Sequence, residues 1–188
     1  MIAQSIIEDI LTMKTNFPRI TLFVICIASC VSNLWADTPA YSAASELASN
    51  YKKISKNLAT SGSISKNTGA LKNLKTLGID LIIDLRTANE GNEKEAISTR
   101  EHGLNYLNLP IGKELPDAKT VSQFSQALKQ HGDDDILVHC RSGNRAGLLW
   151  AMHRISEGLD TGIAIKEGQE IGMSWSRTRQ LKASLQYD

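Results

Sequence analysis

The stretch that decides the fold is residues 135–152, DILVHCRSGNRAGLLWAM. Its apolar run at residues 136–138 predicts a strand, and the apolar pattern from Ala146 onward predicts a helix. A cysteine, a loop with one glycine and an arginine lie between them. A strand that enters a helix through such a loop predicts a site for an oxyanion above the cysteine thiol.

The loop from Cys140 to Arg145 has the features of an anion cradle. Backbone N–H groups at a helix N-terminus are unpaired and carry partial positive charge. The loop amides that could curl around one anion belong to Arg141, Ser142, Gly143 and Asn144. Arg145 adds a planar, permanently charged fork. Cys140 begins this positive field, which favours the nucleophilic thiolate. A buried, inert cysteine at a strand end is the alternative.

The N-terminal segment predicts export. Residues 20–31 are almost wholly apolar, about the length of a signal-peptide core and short for a membrane span. We predict residues 1–36 as a signal peptide cleaved after Ala36, with Met13 as the true start. A lipobox-like sequence ending at Cys30 leaves lipidation as the alternative, and only then is membrane attachment expected. The predicted location is periplasmic or secreted.

Composition narrows the functional class. The 188 residues include three cysteines, and signal cleavage would leave Cys140 as the sole thiol, so no internal disulfide is expected. A net charge of +1 argues against non-specific nucleic-acid binding. The histidines show no metal-ligand spacing and no nucleotide motif occurs, so neither a metal nor another cofactor is predicted. The expected partner is a small oxyanion or a phosphorylated substrate.

Hydrophobic periodicity predicts one domain over residues 57–188, after a flexible, polar lead-in at residues 37–56. The predicted helices cover residues 68–77 and 92–102, with another beginning at Pro116-Asp117, and the predicted strands cover residues 79–85, 104–109 and 135–139. Such alternation indicates an α/β fold with a mainly parallel sheet. Ligands bind such sheets beyond the carboxyl ends of the strands, where Cys140 falls.

Three blocks of this sequence carry a family resemblance, and they are residues 57–62, 78–86 and 139–152. They resemble the protein-phosphatase-like domain that accompanies beta-lactamase hydrolase-like proteins, a bacterial relative of dual-specificity and tyrosine phosphatases. Residues 164–173 also resemble that family's closing helix. The resemblance implies a cysteine-phosphatase fold with four or five strands flanked by helices. It also implies hydrolysis of phosphomonoesters, with Cys140 as nucleophile and Arg145 as oxyanion clamp.

The loop departs from the wider phosphatase pattern. Four residues separate Cys140 from Arg145, where those enzymes have five, and Ala146 replaces their usual Ser or Thr. Their upstream aspartate, which protonates the leaving oxygen, has no counterpart at the expected place. Glu114 and Asp117 are the nearest candidates for a general acid, although Asp117 also has the position of a helix cap.

The shorter loop supports a rival hypothesis. Residues 140–145 also resemble the active-site loop of rhodanese-type sulfurtransferases, and residues 83–86 resemble their Asp-x-Arg strand. In that chemistry Cys140 would carry a persulfide. The Gly-His-Ile-Pro-Gly segment and the late Gly-Gly and Trp of those enzymes are missing. We therefore favour the phosphatase, with sulfur transfer and a non-catalytic oxyanion-binding module as alternatives.

Two neighbours of the loop have open roles. His139 could orient the loop by hydrogen bonding or be an ordinary satisfied buried polar group. Arg86 could face the site from its strand end, or pair with Glu90 or Glu93.

Overall fold

The computed structural model describes residues 39–66 and 69–186. The strands are β1 (Lys52–Lys53), β2 (Leu58–Ser61), β3 (Ile79–Asp84), β4 (Asn105–Asn108) and β5 (Asp135–His139). The helices are α1 (Pro39–Leu47), α2 (Ala70–Thr76), α3 (Asn92–Glu101), α4 (Ala118–Gln130), α5 (Asn144–Ser156), α6 (Thr161–Glu170) and α7 (Trp175–Leu185), with a 3-10 turn at Ala88–Glu90. The predicted signal peptide and its alternatives lie outside the described residues.

The five strands form one sheet in the order β1-β2-β5-β3-β4. Strand β1 is antiparallel to β2, and every other neighbouring pair is parallel. The predicted α/β fold with a mainly parallel sheet of four or five strands is confirmed. Strand β5 lies between β2 and β3, so the loop that follows it opens at the middle of the sheet's carboxyl edge. Within the described ranges, no helix is both long and apolar enough to cross a bilayer.

Helices cover both faces of the sheet. Because side chains alternate along a strand, neighbouring residues of β5 enter different cores. Val138 packs with Phe124 of α4 and Leu149 of α5 on one face. Leu137 packs with Leu74 of α2 on the other. Burial on both faces explains why β5 is a continuous apolar run in the sequence.

The segment before the predicted domain contains secondary structure that we did not predict. Residues 37–56 were expected to be a flexible lead-in, but α1 and β1 fall within them. Ala44 and Ala48 are buried, 3% and 1% exposed, in the same core as Ala59 of β2. The Tyr41 hydroxyl donates a hydrogen bond to the Tyr51 carbonyl at 3.0 Å. Small alanines give a weak hydrophobic signal in sequence, yet their size lets a helix approach a sheet closely.

Strand β2 was not predicted as a strand. All four of its residues are buried, but only Leu58 is a large apolar residue. The strand pairs in parallel with β5 from Leu58 opposite Ile136 to Ser61 opposite His139. Its conformation therefore depends on a neighbour about 80 residues later in the chain, which local periodicity does not reveal.

Helices α5 and α6 cross at two glycines. A Cβ atom on Gly147 would lie 2.4 Å from the Gly168 carbonyl oxygen and 2.5 Å from the Met173 amide nitrogen. A Cβ on Gly168 would lie 2.6 Å from the Gly147 carbonyl oxygen. The obstructing atoms are backbone on both sides, so a side chain at either position must separate the helices.

We expect Gly147→Ala to reduce the free energy of unfolding by about 3 kcal/mol, because the helices cannot part without opening the core. For a domain of this size that corresponds to a fall in Tm of roughly 10 °C. Thermal unfolding followed by circular dichroism measures it. Gly112→Ala is the matched control, since a Cβ there meets nothing within 4 Å. Equal Tm values for the two variants would contradict the close helix crossing.

Candidate active site

Cys140 follows the last residue of β5 and is 1% exposed. The Gly143 N–H donates a hydrogen bond to Cys140 Sγ at 3.2 Å. The side chain is therefore a buried sulfur at the base of the loop, with a backbone donor directed at it.

Two carbonyls of the loop accept hydrogen bonds from neighbouring segments of the chain. The Arg141 carbonyl accepts from the Ser63 N–H at 3.1 Å and from the Ser63 hydroxyl at 3.0 Å. The Ser142 carbonyl accepts from Asn50 Nδ2 at 3.2 Å. Because these carbonyls face outward, their peptide groups direct N–H bonds toward the inside of the loop.

Gly143 supplies the turn from the loop into α5. Its φ is +87°, in the left-handed region that favours glycine. The Asn144 side chain accepts from the Ser174 N–H at 2.8 Å, which ties the start of α5 to the start of α7. The four residues predicted to form the oxyanion loop thus adopt one defined turn at a helix N-terminus.

Arg145 is fixed beside Cys140 by four hydrogen bonds. Its Nη1 and Nη2 donate to the two carboxylate oxygens of Glu90, each at 2.7 Å. Nη1 also donates to the carbonyls of Ile111 at 2.9 Å and Leu85 at 3.2 Å. The hydrogen bonds to Glu90 raise the pKa of Arg145, burial opposes them, and the Cys140 charge adds to the increase. A guanidinium held this way keeps its charge and needs little reorganisation to bind an anion.

Glu90 ends the 3-10 turn and closes a capping box with Thr87. The Arg145 hydrogen bonds, against a smaller effect of burial, lower the pKa of Glu90 to about 2. Glu90 is the main site residue that the sequence did not identify. It was considered only as a partner of Arg86, because Glu90 and Arg145 are 55 positions apart in the sequence and nothing local indicates their contact.

The Glu90 contact predicts a pH dependence of stability. A carboxylate whose pKa falls from 4.5 to about 2 on folding contributes stability above pH 4.5, and that contribution is lost as pH falls toward 2. We expect Glu90→Gln to cost about 1 to 3 kcal/mol at pH 7. The Tm gap from wild type should narrow between pH 4.5 and 2. Glu93→Gln, at an exposed neighbour, should show no gap, and a pH-independent gap for Glu90→Gln would refute the ionic contact.

A buried charged cluster lies behind the cysteine. Arg86 Nη2 is 2.7 Å from Asp84 Oδ2 and 2.8 Å from Glu95 Oε1, so Arg86 pairs with neither Glu90 nor Glu93. Burial would raise the pKa of Asp84, but hydrogen bonds from Arg86 lower it below its ordinary value. Arg86 therefore stabilises the carboxyl end of β3 rather than facing the site.

His139 completes this cluster. It is 0% exposed, and its Nε2 lies 2.8 Å from Glu95 Oε1 and 3.6 Å from Asp84 Oδ1. Neither ring nitrogen has hydrogen-bonding geometry to any group in the described part of the chain. One atom each from Asp84, Glu95 and His139 could in principle hold a cation, since they lie within 4.8 Å of one another. The Arg86 guanidinium already supplies the positive charge that these carboxylates need.

The segment after β4 borders the site. Asp117 is a helix cap, because its carboxylate accepts from the Thr120 N–H at 2.8 Å. Glu114 is exposed, and its backbone carbonyl accepts from Arg177 of α7 at 3.1 Å. Arg177 also donates to the carbonyls of Gly112 and Lys113. Two arginines thus bind four consecutive backbone carbonyls: Arg145 donates to that of Ile111, and Arg177 donates to those of the next three residues. Of the two candidate acids, only Glu114 has a side chain with no capping role.

Arg177 is the second residue that sequence reasoning missed. Burial lowers the pKa of Arg177 and repulsion from Arg145 lowers it further, while attraction to Glu114 and then to Cys140 opposes both. These interactions place it in the electrostatic surroundings of the site. No sequence motif marks α7 as part of that site.

The family of the chain follows from its sequence profile. The PTP-SAK profile, described as the Swiss Army Knife protein DSP-PTPase phosphatase domain, matches residues 49–184. The chain belongs to this family. The PTP-SAK domain is a phosphatase-like hydrolase, and the predicted kinship with dual-specificity and tyrosine phosphatases is confirmed.

Solved structures agree on the fold. A DUF442 protein of Shewanella putrefaciens CN-32 superposes on the PTP-SAK domain with a TM-score of 0.59 and 21% identity, covering 76% of this chain and 94% of its own. TpbA of P. aeruginosa superposes with a TM-score of 0.56 and 23% identity, covering 73% and 83%. At such identities the likeness establishes the fold alone.

Curated relatives share part of the sequence. Beta-lactamase hydrolase-like proteins from two Xylella fastidiosa strains are 34% identical to this chain over 111 residues. The match covers 56% of this chain and 25% of each relative. This chain therefore matches about a quarter of the length of those proteins, in agreement with the resemblance seen in the sequence.

Proposed function

We propose that this protein hydrolyses phosphomonoesters through a covalent phosphocysteine at Cys140. The observation that carries the proposal is the arrangement around Sγ, where the Gly143 N–H donates to the sulfur and Arg145 is held beside it by Glu90. A thiolate beneath inward N–H bonds, with a fixed guanidinium beside it, matches the needs of an in-line attack on phosphorus.

In the first step the Cys140 thiolate attacks phosphorus, an S–P bond forms and the bond to the leaving oxygen breaks. The loop amides and Arg145 stabilise the equatorial oxygens. The leaving oxygen takes a proton from Glu114 or from water. In the second step water attacks phosphorus and gives a proton back to Glu114 or to solvent, the S–P bond breaks, and inorganic phosphate and the thiolate are released. Glu114 is preferred to Asp117 because the Asp117 carboxylate is committed to its helix cap.

Sulfur transfer is the second candidate, and the four-residue spacing between Cys140 and Arg145 favours it. A shorter loop makes a tighter ring of amides and suits a smaller bound group. The thiolate would attack the outer sulfur of thiosulfate, form a persulfide and release sulfite. Cyanide would then take that sulfur and leave as thiocyanate, which restores the thiolate.

One set of measurements separates these chemistries. The protein is incubated with an aryl phosphate or with thiosulfate, and the reaction is quenched in acid. The mass of the intact protein is then measured, and the release of phosphate and of thiocyanate is followed in parallel. Phosphate release with a phosphoryl adduct on Cys140 supports the proposal. A persulfide on Cys140 without phosphate release replaces it with sulfur transfer. Anion binding without either product leaves an oxyanion-binding module.

The substrate class follows from the chemistry of the loop. A phosphorylated molecule is the expected partner, and one structure of the related P. aeruginosa TpbA is a complex with pTyr. An aromatic phosphomonoester is therefore a sensible first probe for this chain.

We also propose that the protein is exported, on the strength of the apolar segment at residues 20–31. N-terminal mass analysis of the protein from its native host tests this. A mature chain that begins at Asp37 supports cleavage after Ala36, and one that begins with a lipid-modified Cys30 supports the lipoprotein alternative. A chain that retains residues 1–36 contradicts both.

A further inference from the structure

Residues 112–114 connect two cores of the protein across its surface. Ile111, which precedes them, is buried in the same core as Cys140. Leu115, which follows them, packs against the core that contains Leu181 of α7. The three residues between are exposed, and within the described ranges no hydrogen bond joins their main chain to another main-chain group. Such a segment depends on side chains for a fixed conformation.

One side chain binds all three carbonyls of this segment. Arg177 Nη2 donates to the Gly112 carbonyl at 2.6 Å, and Nη1 donates to the carbonyls of Lys113 and, at 3.1 Å, of Glu114. Nη1 also donates to Gln180 Oε1 at 2.9 Å. The planar guanidinium can reach several acceptors at once, which a lysine ammonium on its single stem cannot do with the same geometry.

The start of α7 connects this segment to the oxyanion loop. Arg177 is the third residue of α7, and its N–H donates to the Ser174 side chain that caps the helix. The Ser174 N–H in turn donates to Asn144 Oδ1 of the loop at 2.8 Å. From the other side, Arg145 of the loop donates to the Ile111 carbonyl at 2.9 Å. The segment is therefore fixed relative to the loop through α7 at one end and through Arg145 at the other.

We propose that Arg177 is a positioning residue for proton transfer, because it holds the segment that carries Glu114 beside the Cys140 nucleophile. The inference rests on the proposed function, in which the leaving oxygen takes a proton from Glu114 as its bond to phosphorus breaks. A carboxyl group must lie within hydrogen-bonding reach of the atom that it protonates. Movement of the 112–114 backbone would therefore slow this proton transfer and leave attack by the thiolate intact.

The kinetic test compares phenyl phosphate, whose leaving group needs a proton, with 4-nitrophenyl phosphate, whose leaving group departs readily as the anion. We expect Arg177→Met to lower kcat/KM for phenyl phosphate about thirtyfold and for 4-nitrophenyl phosphate about threefold or less. Loss of the Arg177 charge affects both substrates alike, so the ratio of the two losses reports proton transfer. Arg177→Lys keeps the charge but not the three contacts, and it should show the same selective loss.

Two further variants control this comparison. Glu114→Gln should show the same substrate dependence, and Arg177→Met added to it should lower phenyl phosphate hydrolysis by less than about threefold more, because both residues serve one proton transfer. Arg179→Met removes an exposed arginine from the same helix and should leave the ratio unchanged. Equal losses for the two substrates, or losses that add in the double variant, overturn the inference.

Trypsin cleavage after Lys113 tests the hold on the segment without catalysis. Lys113 is exposed, and proteases cleave a segment only when it can leave its native conformation. We expect cleavage there to be about tenfold faster in Arg177→Met than in wild type or Arg179→Met, as measured from fragment masses. Faster cleavage, together with a wild type that releases no phosphate, would support the role of Arg177 and show that the proposed function alone had failed. Unchanged cleavage overturns the inference.

Discussion

Cys140→Ser is expected to lower phosphate release from an aryl phosphate by at least about a thousandfold. The serine hydroxyl occupies nearly the same space but is almost wholly protonated at neutral pH, so the attacking anion is lost. The Gly143 N–H and the Arg145 guanidinium remain in place to bind the phosphate. We therefore expect kcat to fall while affinity for a competing oxyanion such as vanadate is retained in part.

Steady-state kinetics with the aryl phosphate measures the effect. The Tm of the variant should stay within a few degrees of wild type, because Cys140 lies in a well-packed site and serine removes little volume. Retention of more than about a tenth of the wild-type rate would mean that Cys140 is not the nucleophile.

Arg145→Lys is expected to lower kcat/KM by about a hundred- to a thousandfold, even though it conserves the charge. A lysine ammonium cannot span both Glu90 oxygens and the carbonyls of Ile111 and Leu85 while it faces an anion. The side chain that stabilises the transition state would therefore lose its fixed position. Most of the loss should appear in kcat, because charge attraction to the bound substrate survives.

Arg141→Lys is the matched control for that variant. Arg141 is in the same loop, but its side chain is exposed, and we expect less than about a threefold change. An equally small change for both variants would show that the loop needs positive charge only. The positioning role assigned to Glu90 would then be wrong.

The predictable part of this fold is the part with strong local patterns. Strand β5 is buried on both faces and is therefore apolar throughout, and the helix α3 was predicted nearly to its bounds, at residues 92–102. Strand β2 and helix α1 escaped prediction because their buried residues are mostly small or polar. Ala44 and Ala48 reach the core through close approach rather than through large hydrophobic area.

The residues of the candidate site also divide into those that local sequence predicts and those that it does not. Cys140, Arg145 and the four residues between them form one continuous loop, so their proximity follows from local chain geometry. Glu90 and Arg177 come from elements far away in the sequence, and each is an ordinary surface residue type with no motif that ties it to Cys140. Glu90 and Glu93 are the same residue type three positions apart, yet of the two it is Glu90 that binds the Arg145 guanidinium.

The residue types between β5 and α5 thus determined by themselves that a cysteine would lie at the base of a turn into a helix N-terminus, because a strand, a left-handed glycine and a helix start create that turn locally. The tertiary structure alone decided how the turn is completed. It brought Glu90 from beyond β3 to fix the guanidinium and Arg177 from α7 to hold the 112–114 backbone. Such contacts depend on which strands pair and which helices pack together. The packing of the whole core determines that arrangement, and no single segment does.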